Sequence, residues 1–81
     1  MTYFIIKKDK KEYKTDSKAG AFEMWDCWGR AGVIIEEHIF DTDVHGIEKH
    51  YVHTATRASR KTCKDGTIKY HMRWDKCRVE D

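Results

Sequence analysis

The 81-residue chain contains no proline and only three cysteines, Cys27, Cys63 and Cys77. The cysteines are odd in number and include no CxxC pair, so we do not expect a disulfide scaffold. We expect reduced thiols in a cytosolic protein. No apolar run approaches the roughly 18 residues of a membrane span. The apolar stretch at residues 4–6 is followed at once by two lysines and is too short for the core of a signal peptide. These absences predict a cytoplasmic protein without a membrane partner.

The length of the chain predicts a single domain over residues 1–81, because a compact domain typically needs about 50–250 residues. Apolar residues make up 40% of the sequence, and a chain this short buries only about 60–65% of its unfolded surface. The core must therefore be concentrated on a few faces. Three tryptophans, four tyrosines and three phenylalanines are the side chains that supply most of its volume.

The first third of the chain predicts a hairpin followed by a helix. Residues 2–8 and 12–15 are short extended segments separated by a charged cluster. A helix follows, with Asp16 or Ser17 as its N-cap. It runs through residue 22 and ends at residue 28 or 30, where a glycine adopts the left-handed conformation. At 100° per residue, one side of this helix collects the apolar stripe of Ala21, Phe22, Met24, Trp25 and Trp28. This stripe predicts a helix lying on a sheet.

The remainder of the chain predicts three strands, at residues 33–41, at about 47–57 and at 68–74. In the last of these, Ile68, Tyr70, Met72 and Trp74 alternate with polar residues, which indicates one buried and one solvated face. Asp65-Gly66 before it is a hairpin turn signal. Residues 57–64 either continue the preceding strand as a long twisted ribbon or form a basic loop. The predicted fold is α+β, in the order β-β-α-β-β-β, with one helix covering one face of an antiparallel sheet.

The charges are strongly segregated along the sequence although the chain carries a net charge of only +2. Residues 36–48 contain five acidic residues and no lysine or arginine. Residues 49–78 contain nine basic residues against two acidic ones, a local balance of +7. The near-zero net charge is therefore the difference between an acidic middle and a basic C-terminal part.

The basic part predicts a nucleic-acid-binding surface. If the helix covers the apolar face of the last strand, the alternate residues of that strand point together into solvent, and the preceding segment adds further cations. Arginine and lysine clusters match phosphate oxygens and release counterions from nucleic acid. The predicted phosphate-binding residues are Arg57, Arg60, Lys61, Lys64, Lys69, His71 and Arg73. RNA is favoured over DNA, since the free side of the one predicted helix is largely acidic and unsuited to the major groove. The alternative is a charged, solvated strand face that protects against edge aggregation.

The histidines and cysteines do not form a recognisable catalytic or metal motif. A metal-independent nuclease needs an acid, a base and a phosphate-binding cation, for which His50, His71, Lys69 and Glu36 are residues of the right types. On a strand, His50 and His53 point to opposite faces. Cys63 and Cys77 lack the paired spacing of zinc ligands, and residues 41–52 lack the final glutamate of a calcium loop. We therefore expect no enzymatic activity, no metal and no cofactor.

In its size, lysine content, lack of proline and aromatic core, the chain resembles the small early proteins of large tailed phages. Many of those proteins bind and disable one host or defence factor, and the resemblance implies a stoichiometric binder in the host cytoplasm. The alternative function is therefore an inhibitor of a host nuclease or toxin, in which the acidic stretch of residues 36–48 mimics nucleic acid or meets a basic partner. An inhibitor that requires RNA would combine the two functions. Residues 3–6, if they form an edge strand, offer a route to a homo-oligomer or another protein by strand addition.

Overall fold

In the computed structural model, which describes residues 1–80, two strands and a helix are followed by five further strands. The predicted α+β class and the N-terminal hairpin are confirmed, but there are more strands than predicted and they form two sheets. The elements are β1 (Thr2–Lys8), β2 (Lys11–Thr15), α1 (Lys18–Cys27), β3 (Ile34–Thr42), β4 (Glu48–Ala55), β5 (Arg57–Thr62), β6 (Ile68–Arg73) and β7 (Lys76–Glu80). A five-stranded antiparallel sheet has the order β2-β1-β3-β4-β7, and β5 and β6 form a separate two-stranded sheet.

Helix α1 is held at both ends by local contacts that its sequence predicts. The hydroxyl of Ser17 accepts a hydrogen bond from the amide of Gly20 at 3.1 Å, which satisfies one of the unpaired donors of the first turn. The helix begins at Lys18, immediately after Ser17, one of the two predicted caps. It ends at Cys27, and Gly29 has a φ of +85°, a conformation that glycine adopts without strain.

The main core lies between α1 and the five-stranded sheet. The helix contributes its apolar stripe, and the facing strands contribute alternate residues of β1 and β3. Burial of each large side chain contributes roughly 1.5–3 kcal/mol of hydrophobic stabilisation. The buried residues of this cluster are Phe4, Ile6, Ala21, Phe22, Trp25, Val33 and Ile35, with Met24 and Trp28 packed against them.

A bend divides the C-terminal hairpin into parts that belong to different sheets. The register is continuous across it, since Thr54 lies opposite Lys76 and Arg57 lies opposite Arg73. At the bend, Oδ2 of Asp75 accepts hydrogen bonds from the amide and the hydroxyl of Thr56, at 2.7 and 2.6 Å. Residues 57–62 thus extend the preceding strand as a ribbon, one of the two predicted alternatives, while the prediction of one sheet is wrong.

The bend changes which alternate residues of the ribbon face the core. Ala55 before the bend and Ala58 after it both face the core, although an unbroken strand would turn them to opposite sides. Tyr70 stacks on Phe22 with ring centroids 4.5 Å apart. The predicted buried face is therefore confirmed for Tyr70 and Met72 but wrong for Ile68 and Trp74, at the two ends of the alternation, which are 40% and 38% exposed.

The strand order also corrects the expected edge. Strand β1 lies between β2 and β3, so residues 3–6 are not an edge strand; β2 and β7 are the edges of the larger sheet. Strand β7 was not predicted, because Lys76–Glu80 is short and three of its five residues are charged, with Val79 as its one β-branched residue. Within residues 1–80, no helix has the length and apolar character needed to cross a membrane.

Candidate nucleic-acid interface

The outward face of the β5–β6 hairpin carries three cross-strand pairs, which are mostly cationic. Directly opposite residues share a face of an antiparallel pair, so the inward position of Ala58, Tyr70 and Met72 turns their neighbours outward. Alternate residues lie about 7 Å apart along a strand, and opposite Cβ atoms about 5 Å apart. The three outward pairs are Arg57 with Arg73, Ser59 with His71, and Lys61 with Lys69.

The pairs nearest the bend line a shallow depression. It has a volume of about 410 Å³, and Ala58 and Met72 contribute to its lining. Around them stand Arg57, Ser59, His71 and Arg73, all exposed. Two guanidinium groups, a hydroxyl and an imidazole thus surround one concave surface, a donor set that matches phosphate oxygens.

The four lysines and arginines of this face have no internal counterion at salt-bridge distance in the part of the chain that the structure describes. Like charges directly opposite one another destabilise a strand pair. The carboxylate of Asp75, at the bend, is close enough for Arg57 and Arg73 to act on it. Hydrogen bonds from Thr56, followed by the charges of Arg57 and Arg73, hold the pKa of this carboxyl below its usual range. The face therefore carries an excess of positive charge that an external anion can neutralise.

The remaining predicted phosphate ligands lie elsewhere. Arg60 is on the inward face of the hairpin, where its guanidinium is 3.5 Å from Asp26 of α1. Lys64 lies in the exposed turn that joins β5 to β6. The structure thus brings five of the seven predicted residues onto one face, places Lys64 at its tip and turns Arg60 away from it.

The acidic stretch of residues 36–48 does not form one free surface. Glu36 is 6% exposed. Glu37 lies 3.5 Å from Nδ1 of His53, and Oδ1 of Asp43 accepts hydrogen bonds from the amides of His45 and Ile47. Oδ1 of Asp41 likewise accepts a hydrogen bond from the amide of Thr42 at 2.9 Å. Four of its five carboxylates are therefore engaged inside the chain.

The face of the five-stranded sheet that points away from α1, here called the uncovered face, carries a row of aromatic and histidine rings that the sequence did not predict. Tyr3 stacks on His38 with centroids 4.7 Å apart, and Phe40 stacks on His50 at 4.2 Å. The ammonium of Lys14 lies 4.2 Å from the centroid of the Tyr3 ring. These residues come from four strands, and only the strand order brings them together.

Glu36 and two histidines form a hydrogen-bonded chain beside these rings. Nε2 of His38 lies 3.1 Å from Oε1 of Glu36, and Nδ1 of His38 lies 2.8 Å from Nε2 of His50. A carboxylate can only accept, so Nε2 of His38 carries the proton, and in the neutral ring Nδ1 accepts from His50. Lys7 and Arg78 add ion pairs with Glu36 at 3.2 and 3.5 Å. Burial opposes ionisation, but hydrogen bonds from His38 and Lys7 outweigh it and lower the pKa of Glu36.

Among residues 1–80, no cluster of three or more histidine, cysteine, aspartate or glutamate side chains is arranged to hold a metal ion. The hairpin surface remains the place where most predicted site residues converge. Comparisons of the chain with protein-family models, with curated proteins and with solved structures give no match.

Proposed function

We propose that this protein is a non-enzymatic nucleic-acid-binding protein that holds the phosphates of RNA on the outward face of the β5–β6 hairpin. The observation that carries the proposal is the set of three outward cross-strand pairs, with four permanent positive charges and no internal counterion among the described residues. Such an arrangement costs folding stability, and the cost is recovered when phosphates bind and release their counterions.

Single-stranded RNA fits this surface better than a duplex. Arginine planes and histidine rings stack on unpaired bases, and both types line the depression at the bend. The only helix of the described residues packs its apolar stripe against the core and exposes Glu23, which leaves it unsuited to reading a major groove. Most contacts from a face of this composition go to the backbone, so we expect weak sequence preference.

The proposal is tested by reversing one outward pair. Lys61→Glu combined with Lys69→Glu changes the face by four charges, and Lys10→Glu with Lys11→Glu makes the same change at the exposed β1–β2 turn. Binding is measured by fluorescence anisotropy of a labelled uridine-rich RNA. We expect the hairpin variant to lose about tenfold or more in affinity, since each charged hydrogen bond contributes about 1.5 kcal/mol, while the turn variant stays within a few-fold of wild type.

Two outcomes would count against the proposal. Equal losses in the two double variants would show that only overall charge matters. Tighter binding of duplex DNA than of single-stranded RNA would reject RNA as the ligand, because a two-stranded ribbon also fits a major groove.

The inhibitor function implied by the phage resemblance receives less support. It relies on the acidic stretch of residues 36–48, and the carboxylates of Glu36, Glu37 and Asp43 already have partners in the chain. Substitution of Asp41 and Glu48, which are both exposed, should therefore leave the activity of this protein unchanged.

A further inference from the structure

Three chemically complementary side chains lie in register across neighbouring strands of the larger sheet. Glu37 of β3 is directly opposite His53 of β4, and His53 is directly opposite Cys77 of β7. All three therefore project from the same face, with adjacent Cβ atoms about 5 Å apart. A carboxylate, an imidazole and a thiol in this order are the groups of an activated cysteine.

The pairing of His53 with Glu37 favours the ring tautomer that a general base needs. Nδ1 of His53 lies 3.5 Å from Oε1 of Glu37. A proton on Nδ1 is attracted by this carboxylate, which leaves Nε2 unprotonated and able to accept a proton. The thiol of Cys77 is free and exposed on the edge strand.

A small depression gives this group of residues a place for a ligand. It has a volume of about 210 Å³ and is lined by His53, Trp74, Asp75, Lys76 and Cys77. The ring of Trp74 lies 5.4 Å from that of His53 and tilts at 60° to it, so the indole forms an apolar wall.

We propose that Cys77 is a reactive thiol, assisted by His53, whose ring is oriented by Glu37, and that it exchanges with low-molecular-weight disulfides. The proton of Cys77 passes to Nε2 of His53 as the sulfur attacks one sulfur of the disulfide. A mixed disulfide to Cys77 forms, the original sulfur–sulfur bond breaks, and the leaving thiolate takes the proton from His53. The product is one S-thiolated protein and one free thiol, and an excess of thiol reverses the reaction.

The three free cysteines provide an internal comparison. Cys27 is exposed like Cys77, whereas Cys63 is half-buried. The protein is treated with glutathione disulfide at neutral pH, and the modification of each cysteine is followed by mass spectrometry of peptides. We expect Cys77 to react about tenfold or more faster than Cys27, because general-base assistance typically contributes at least that much.

Substitution of the histidine separates assistance from exposure. His53→Gln should bring the rate of Cys77 close to that of Cys27, and Glu37→Gln should produce a smaller loss. His71→Gln on the hairpin is the matched control and should change neither rate. Cys63 reports unfolding in every sample, because loss of structure would expose its half-buried thiol and accelerate it.

The result is decisive in both directions. A Cys77 rate equal to that of Cys27 in wild type would overturn the proposal, as would a fast Cys77 that His53→Gln does not slow while Cys63 stays protected.

Discussion

The buried carboxylate of Glu36 allows a quantitative test of how the uncovered sheet face is stabilised. The substitution is Glu36→Gln, which keeps the shape and one acceptor oxygen but removes the charge. Breaking a fully buried ion pair by removing one partner costs about 3–5 kcal/mol. Here the cost should be smaller, because the side chains of Lys7 and Arg78 are 41% and 43% exposed and water can solvate them.

We therefore expect Glu36→Gln to lower the free energy of unfolding by about 1–3 kcal/mol at neutral pH. A domain of this length has a stability of about 4–12 kcal/mol, so the variant should still fold. For a domain of this size, 1 kcal/mol corresponds to about 4–8 °C in Tm.

The effect should also depend on pH, and its sign follows from the lowered pKa of Glu36. The ordinary value is 4.5, and the folded state lies below it. The ionised group therefore stabilises the fold fully above about pH 4.5, and this contribution is lost as the pH falls through the folded-state pKa. The difference between wild type and variant should be constant from about pH 6 to 8 and shrink toward pH 3.

Urea unfolding, followed by the fluorescence of buried Trp25, measures this difference at each pH. Glu48→Gln is the control, since Glu48 is exposed at the start of β4 and should change stability little. A difference between Glu36→Gln and wild type that is equally large at pH 3 and pH 7 would refute the electrostatic account, as would no difference at pH 7.

Two further predictions concern the hairpin. Tyr70→Ala removes the ring that stacks on Phe22, so we expect the free energy of unfolding to fall by about 2–3 kcal/mol. Amide hydrogen exchange should accelerate more in β5 and β6 than in β3. Equal acceleration in all three strands would contradict a hairpin that packs on the core as a separate unit. Asp75→Asn keeps an acceptor for Thr56 but removes a negative charge that interacts with Arg57 and Arg73, so RNA should bind a few-fold more tightly. Weaker binding in the anisotropy assay would show that the carboxylate itself contributes to the site.

The sequence predicts the local features of this fold well because short-range physics determines them. The N-cap at Ser17 and the buried stripe of α1 follow from side-chain chemistry and helical period. The alternation in β6 identifies both the residues that face the core and most of the cationic face. Asp65-Gly66 predicts the turn, which the hydrogen bond from the Gly66 amide to the Cys63 carbonyl closes.

Features that depend on long-range arrangement were missed for a physical reason. The bend at Thr56 and Asp75 shifts the alternation of the ribbon, and two side chains 19 residues apart produce it. This is why Arg60 points inward and Trp74 lies outside the core. The Glu36–His38–His50 chain likewise requires β3 and β4 to pair in one register, and an alternation pattern in a single strand does not specify that register.

The central claim is that the outward hairpin face binds phosphates, and the salt dependence of RNA affinity tests it most directly. For single-stranded nucleic acid, the slope of log K against log salt concentration is about −0.7 for each phosphate neutralised. Four permanent cations on the face predict a slope of about −2.8, and Lys61→Gln with Lys69→Gln should reduce it to about −1.4. A slope near zero in wild type, or a slope that this double substitution leaves unchanged, would contradict the claim.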